Sequence, residues 1–215
     1  MLVNIIPPQN LELIRDAIGR VITAEINNQN VLIGQWNTDH EDDEGFVAKE
    51  TISVNIFLER YQNIDKSELP AINIVYVESQ QIAEQNAFTT LFDNKYLIEV
   101  YTNSPSNPNG TGDVNAAKML ATILGKVRAI LMNKQYLYLD FTTKFIQTRK
   151  VQTITRTQPR LATDAVNTIS GALELHYNAI ESTELGTGIP IGELETVVKI
   201  SETDKGYKYL IEKST

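Results

Sequence analysis

Three observations predict an α+β fold with a mixed, mainly antiparallel sheet flanked by two main helices. Two segments, 10–28 and 113–133, repeat apolar residues at helical spacing. Several others alternate apolar and polar residues with the period of two expected of half-buried strands. The strands are joined mostly by short turns, without the repeated strand–helix–strand units of a parallel sheet.

In the first helix, Leu11, Ile14, Ile18, Val21 and Ile22 share one stripe, with Asn10 as the predicted N-cap. Pro7 and Pro8 fix an extended lead-in, because proline is excluded from a helix interior. Val31 to Trp36 reads as a short strand, and the charged stretch Asp39 to Gly45 as a solvated, mobile loop. From Phe46 to Leu58 the period becomes two, with Ile52, Val54, Ile56 and Leu58 on one face and Ser53 and Asn55 on the other. A second strand follows Pro70 from Ala71 to Val77, apolar enough for a central position. A third spans Lys95 to Thr102, with Tyr96, Ile98 and Val100 on one face.

The turn-forming stretch Asn103 to Gly112 leads to Asp113, the predicted N-cap of the second helix. Its predicted stripe is Ala117, Leu120, Ala121, Leu124, Val127 and Leu131, with Gly125 opposite. Ala116, Ala117 and Ala121 are small enough to let the helix approach a sheet. Strands are then expected at 136–141, 144–157, 172–179 and 194–200. In the third of these, Leu173, Leu175 and Tyr177 alternate with Glu174 and His176. Gly186, Gly188, Pro190 and Gly192 mark a linker, and 201–206 a hairpin turn. The expected organisation is a core domain over 1–180, then a linker and C-terminal β-hairpin arm over 181–215.

The chain has 215 residues, 42% hydrophobic and 21% charged, enough to bury a core. No apolar run approaches the roughly 18 residues that cross a bilayer, so no membrane partner is expected. The start, MLVNIIPPQN, lacks the pattern of a signal peptide. Without cysteine, disulfides and thiolate metal sites are excluded. A net charge of −8, with no basic cluster longer than Arg149-Lys150, disfavours tight nucleic-acid binding. It is compatible with DNA passing an acidic wall without sticking.

Catalytic motifs are absent from the sequence: no GxSxG, HExxH, Walker A or GxGxxG pattern occurs. The two histidines, His40 and His176, have no sequence link to a nucleophile. His176 is expected to face solvent or a neighbour. Gly110-Thr111-Gly112 before a helix lacks the lysine and further glycines of a phosphate cradle. Asp39, Glu41, Asp43 and Glu44 do not follow EF-hand spacing, and no metal or cofactor is expected. Trp36 reads as a core or core-edge residue. Tyr207, Tyr209 and Leu210 need a cover that a lone hairpin cannot supply, either their own domain or another chain.

The segment KYLIEVYTN over 95–103, a polar loop, then GDVNAAKMLATILGKVRAIL over 112–131 resembles a central strand and sheet-packing helix of phage tail-terminator and related head–tail neck proteins. RLATDAVNTISGALELHYNA over 160–179 is similar to that family's loop and returning strand. The likeness spans roughly 5–180 and rests on element order and patterning. It implies a virion protein in a homo-oligomeric ring, commonly of six subunits, that caps the tail tube and joins it to the head, with DNA in its lumen. Its partners would be tail-tube and neck or adaptor proteins, and no catalytic residue is carried over. The contact regions it implies are 38–45, 103–112 and 156–170, and the segment after 181 departs from the family pattern. Candidate interface residues are Asp39, Asp42, Asp43, Glu44, Tyr207, Tyr209 and Leu210. Two other functions stay open: another tail-tube or adaptor subunit, and a small-molecule enzyme using carboxylates alone.

Overall fold

The computed structural model describes residues 10–61, 64–86, 89–106, 110–141, 146–157, 168–182, 197–199 and 208–210. The chain divides into two compact units, one of residues 7–182 and the other of 1–6 with 183–215. The larger holds helix α1 (Asn10–Asp39), strands β1 (Asn55–Leu58), β2 (Ala71–Asn86) and β3 (Thr89–Thr102), helix α2 (Gly112–Met132), and strands β4 (Ile146–Thr157) and β5 (Ile169–Ser182). The sheet order is β1-β2-β3-β5-β4, parallel only between β1 and β2. In the smaller unit, β6 (Val197–Lys199) and β7 (Lys208–Leu210) pair antiparallel. The fold class is the α+β class expected from the sequence.

The core lies on one face of the sheet. Tyr96, Ile98 and Val100 of β3 stand opposite Leu175, Leu173 and Gly171 of β5, and all six are buried. Ile72 and Ile74 of β2 extend this surface. Onto it α1 lays Ile14, Ala17, Ile18, Val21, Ile22 and Ile26, an uninterrupted helical stripe. α2 adds Ala116, Leu120, Ile123, Leu124, Val127, Ile130 and Leu131. This stripe is rotated from the expected one, because Ala121 is exposed and Ala117 half-buried, while Ile123 and Ile130 are buried. Of the three alanines expected at the contact, Ala116 is buried in the core, and the sheet adds a close approach of its own. A Cβ at Gly171 would lie 2.9 Å from the Thr155 carbonyl oxygen and 3.0 Å from Leu124 Cδ1. Gly125 faces open space, as expected.

Two expected strands are absent, and a third is shortened. Val31 to Trp36 continues α1, with Val31 and Leu32 exposed on it. A short apolar run fits a strand and a helix equally well by pattern. Tertiary bonding separates the two here. Asn30 and Asn37 lie two helical turns apart, and their side-chain amides act as a strand edge for the segment that follows. Asn30 donates to the Ile52 carbonyl at 2.7 Å and accepts from the Ile52 N–H at 2.9 Å. Asn37 serves Lys49 in the same way at 2.9 and 2.8 Å. Residues 46–54 are therefore extended without a backbone ladder, and only 55–58 form a strand. The expected alternation survives there, with Ile52, Val54 and Ile56 against the core and Ser53 and Asn55 exposed. Leu58 departs from it, being 41% exposed although its Cδ2 lies over Gly19.

The second absent strand, 136–141, is a 3-10 turn at Lys134–Tyr136 followed by turns in which Leu139 and Asp140 take positive φ. Tyr136 donates to Glu25 at 2.8 Å, which ties this corner to α1. The N-caps also differ by position. Asn10 is the first helical residue and donates to the Ile180 carbonyl, and Thr111 rather than Asp113 caps α2. The expected strand at 71–77 continues to Asn86, past the end of β1.

Truncating Leu120 or Leu124 to Ala removes methyl groups from the α2–sheet contact, and each is expected to cost about 2–5 kcal/mol in denaturant melts. Gly171→Ala meets a backbone oxygen that cannot yield and is expected to cost about 1–3 kcal/mol. Gly125→Ala, in a helix with open space above it, is expected to add up to about 1 kcal/mol. Equal effects at the two glycines would contradict the packing described.

Candidate interaction surface

The helices cover one face of the sheet only, and the opposite face is polar along its centre. By register, Glu78, Lys95, His176 and Lys150 form a row across β2, β3, β5 and β4. The His176 ring bridges two carboxylates, with Nδ1 2.9 Å from Asp93 Oδ2 and Nε2 3.0 Å from Glu174 Oε1. Glu174 also takes the Lys95 ammonium at 3.0 Å. The histidine and the lysine bonded to it hold the Glu174 carboxyl below its ordinary range. Farther along, burial and then the Glu99 carboxylate push the Tyr101 phenol up to about 12.

Asp93, Lys95, Glu174 and His176 are the densest group of acids and bases on this face, and their geometry is that of a ladder. Both ring nitrogens face carboxylate oxygens, so both are engaged within the ladder. The two carboxylates sit at opposite sides of the ring rather than converging on a common point. Cross-strand charge pairs of this kind stabilise a sheet. His176 thus faces away from the core, as its alternation with Leu175 and Tyr177 predicted. Its partners on β3 escaped the sequence reading, because only the register brings 93 and 95 beside 174 and 176.

The acidic segment is a compact turn closing α1. Asp39 ends the helix, and Asp42, Asp43 and Glu44 are exposed. The Asp43 N–H donates to the His40 carbonyl and the Phe46 N–H to the Asp43 carbonyl. Beneath it, the half-buried Trp36 stacks on His40 with centroids 4.4 Å apart, and Lys49 Nζ stands 3.4 Å over the indole. Nδ1 of His40 donates to the Trp36 carbonyl at 2.8 Å, since a carbonyl oxygen only accepts. Trp36 therefore anchors the turn at a distance from the core cluster. Among the described residues, no group of three or more acidic or histidine side chains is arranged to hold a metal ion.

In the polar loop before α2, the Gly112 N–H donates to Ser106 Oγ at 3.0 Å, and Thr111 donates to Asp113. In the other unit, Tyr209 and Leu210 pair in register with Val198 and Val197. Tyr207, the expected turn over 201–206, residues 183–193 of the linker expected over 181–193, and residues 158–167 of the contact region expected over 156–170 lie outside the described residues. Sheet edges missing from the named interface residues are the longer feature. β1 matches only Ala71 to Ile74 of β2, and β4 pairs on one side only among the described residues.

No protein-family model matches the chain, and no curated protein matches it in sequence. Among the described residues, no helix is long and apolar enough to cross a membrane.

The Glu174 ion pairs act on stability with a defined sign. A carboxyl whose folded pKa is depressed contributes stability above its unfolded value, about 4.3, and loses it as pH falls through the folded value. Glu174→Gln is therefore expected to lower the melting temperature at neutral pH, with the gap from the wild type narrowing below about pH 4. A gap independent of pH would contradict the bridge.

Proposed function

We propose that this chain is a structural subunit of a tailed bacteriophage virion, forming a ring at the head–tail neck in a tail-terminator or tail-completion role. The observation that supports it most is the one-sided cover of the sheet. Two helices close one face, while among the described residues the second face and the long edges of β2 and β4 are left to offer backbone and side chains to neighbours. Edges left open in this way are pairing sites for further strands. The element order of helix, strands, polar loop, helix and returning strands is the one on which the resemblance rests. An acidic chain of net charge −8 suits a channel that DNA crosses without adhering. Tail-tube and adaptor proteins are the partners proposed for the two ends of such a ring.

The solution mass of the full chain, followed by electron microscopy of the same sample, tests this function. A closed ring-sized oligomer is expected. A monomer at every concentration, or an open filament, would contradict it.

A further inference from the structure

We propose that the outer half of β2 pairs antiparallel with β4 of a second copy of this chain, a contact that rests on the ring reading above and names how its subunits join. Past Ile74, β2 runs on to Asn86 with no strand on its outer side among the described residues. Glu59 ends the β1 pairing there. Its backbone turns to positive φ, and its carboxylate accepts the Tyr76 N–H at 2.6 Å. At the opposite margin, β4 is 12 residues long and, among the described residues, pairs only with β5, an edge matching 75–86 in length.

Direction favours the match. β3 runs against β2, β5 against β3 and β4 against β5, so β4 runs opposite to β2 within one subunit. Copies related by rotation about a ring axis that runs along the strands keep that relation, which sets the β4 of one antiparallel to the β2 of the next. The contact is head-to-tail, the kind that closes into a ring when the rotation fits. Added strands bind through main-chain hydrogen bonds, and side chains select the partner.

Charge then selects this partner over the alternatives. The sequence of 75–86 carries Glu78 and Glu84 and no basic residue, whereas β4 carries Arg149, Lys150 and Arg156 and no acidic one. A two-fold pairing of β2 with β2, or of β4 with β4, sets like charges together, which destabilises a strand pair. Pairing β2 with β4 sets opposite charges together. Apolar surface is available on both sides, with Val77 47%, Ile82 50% and Ile154 44% exposed. Bulges interrupt β2 after Tyr76, Gln81 and Glu84 and β4 after Ile146 and Val151. They deter indiscriminate pairing and leave Glu78–Gln81 of β2 and both Thr148–Val151 and Thr153–Thr157 of β4 as regular stretches, with Glu84 and Lys150 beside or within them.

Charge reversal on the full chain tests the contact, read by native mass with far-UV circular dichroism as the control for folding. Glu78→Lys with Glu84→Lys, and separately Lys150→Glu with Arg156→Glu, are each expected to abolish the oligomer while the monomer keeps its fold. The fourfold variant carrying both reversals restores opposite charges and is expected to reassemble by itself. A wild-type oligomer that survives both reversals overturns this contact and leaves the ring reading standing. Failure of the fourfold variant to reassemble after both pairs dissociate also overturns it. A monomeric wild type overturns the contact and the ring together.

Discussion

The antiparallel ladder between β3 and β5 decides on which side of the sheet everything else stands. It runs from Thr89 opposite Ser182 to Thr102 opposite Ile169 without a register shift. A slip of β5 by one residue would turn Leu173, Leu175 and Tyr177 to the polar face and bring Glu174 and His176 into the core. The hydrophobic penalty of that exchange is joined by the cost of burying charge. The ion-paired row on the outer face therefore guards the same register that the core selects. Both helices can then dock on one side, and α1 reaches the end of the ladder through Asn10 at the Ile180 carbonyl and Tyr96 at the Leu11 carbonyl.

Irregularity increases away from this pair. β2 and β4, which flank it, both carry bulges, whereas β3 against β5 has none. Twist and kinks at sheet margins are a common means of restricting which strands can join an edge. The margins also differ in sign, acidic on β2 and basic on β4, whereas the central row holds acids and bases in contact with one another. Charge at the centre of the sheet is engaged in cross-strand ion pairs, and each edge carries charge of one sign. In the proposed ring, those edge charges orient one subunit against the next.

Local pattern made part of this legible. The alternation in 95–102 and 172–179 and the apolar stripes of 10–28 and 113–133 exposed the ladder and both helices, because each element buries one face and shows the other. The rest depends on contacts between distant residues. Residues 31–36 are helical because Asn30 and Asn37 hold 49–52 with side-chain amides, a pairing across the chain that no local period records. Residues 136–141 turn instead of extending, with Tyr136 bound to Glu25 and Leu139 buried at positive φ. Of the interface candidates, the acidic residues of 39–44 were readable as exposed charge. The Asp93–His176–Glu174–Lys95 row became visible only with the register, and so did the free edges.

Hydrogen exchange of the full chain, followed residue by residue at rising protein concentration, tests the account of ladder and edges most directly. Slow exchange across 89–102 and 169–182 at every concentration is predicted, since that ladder lies inside each subunit. Protection of 75–86 and 146–157 is predicted to rise as the chain assembles. Edge protection that does not change with assembly, or exchange in the β3–β5 ladder as fast as at the edges, would contradict it.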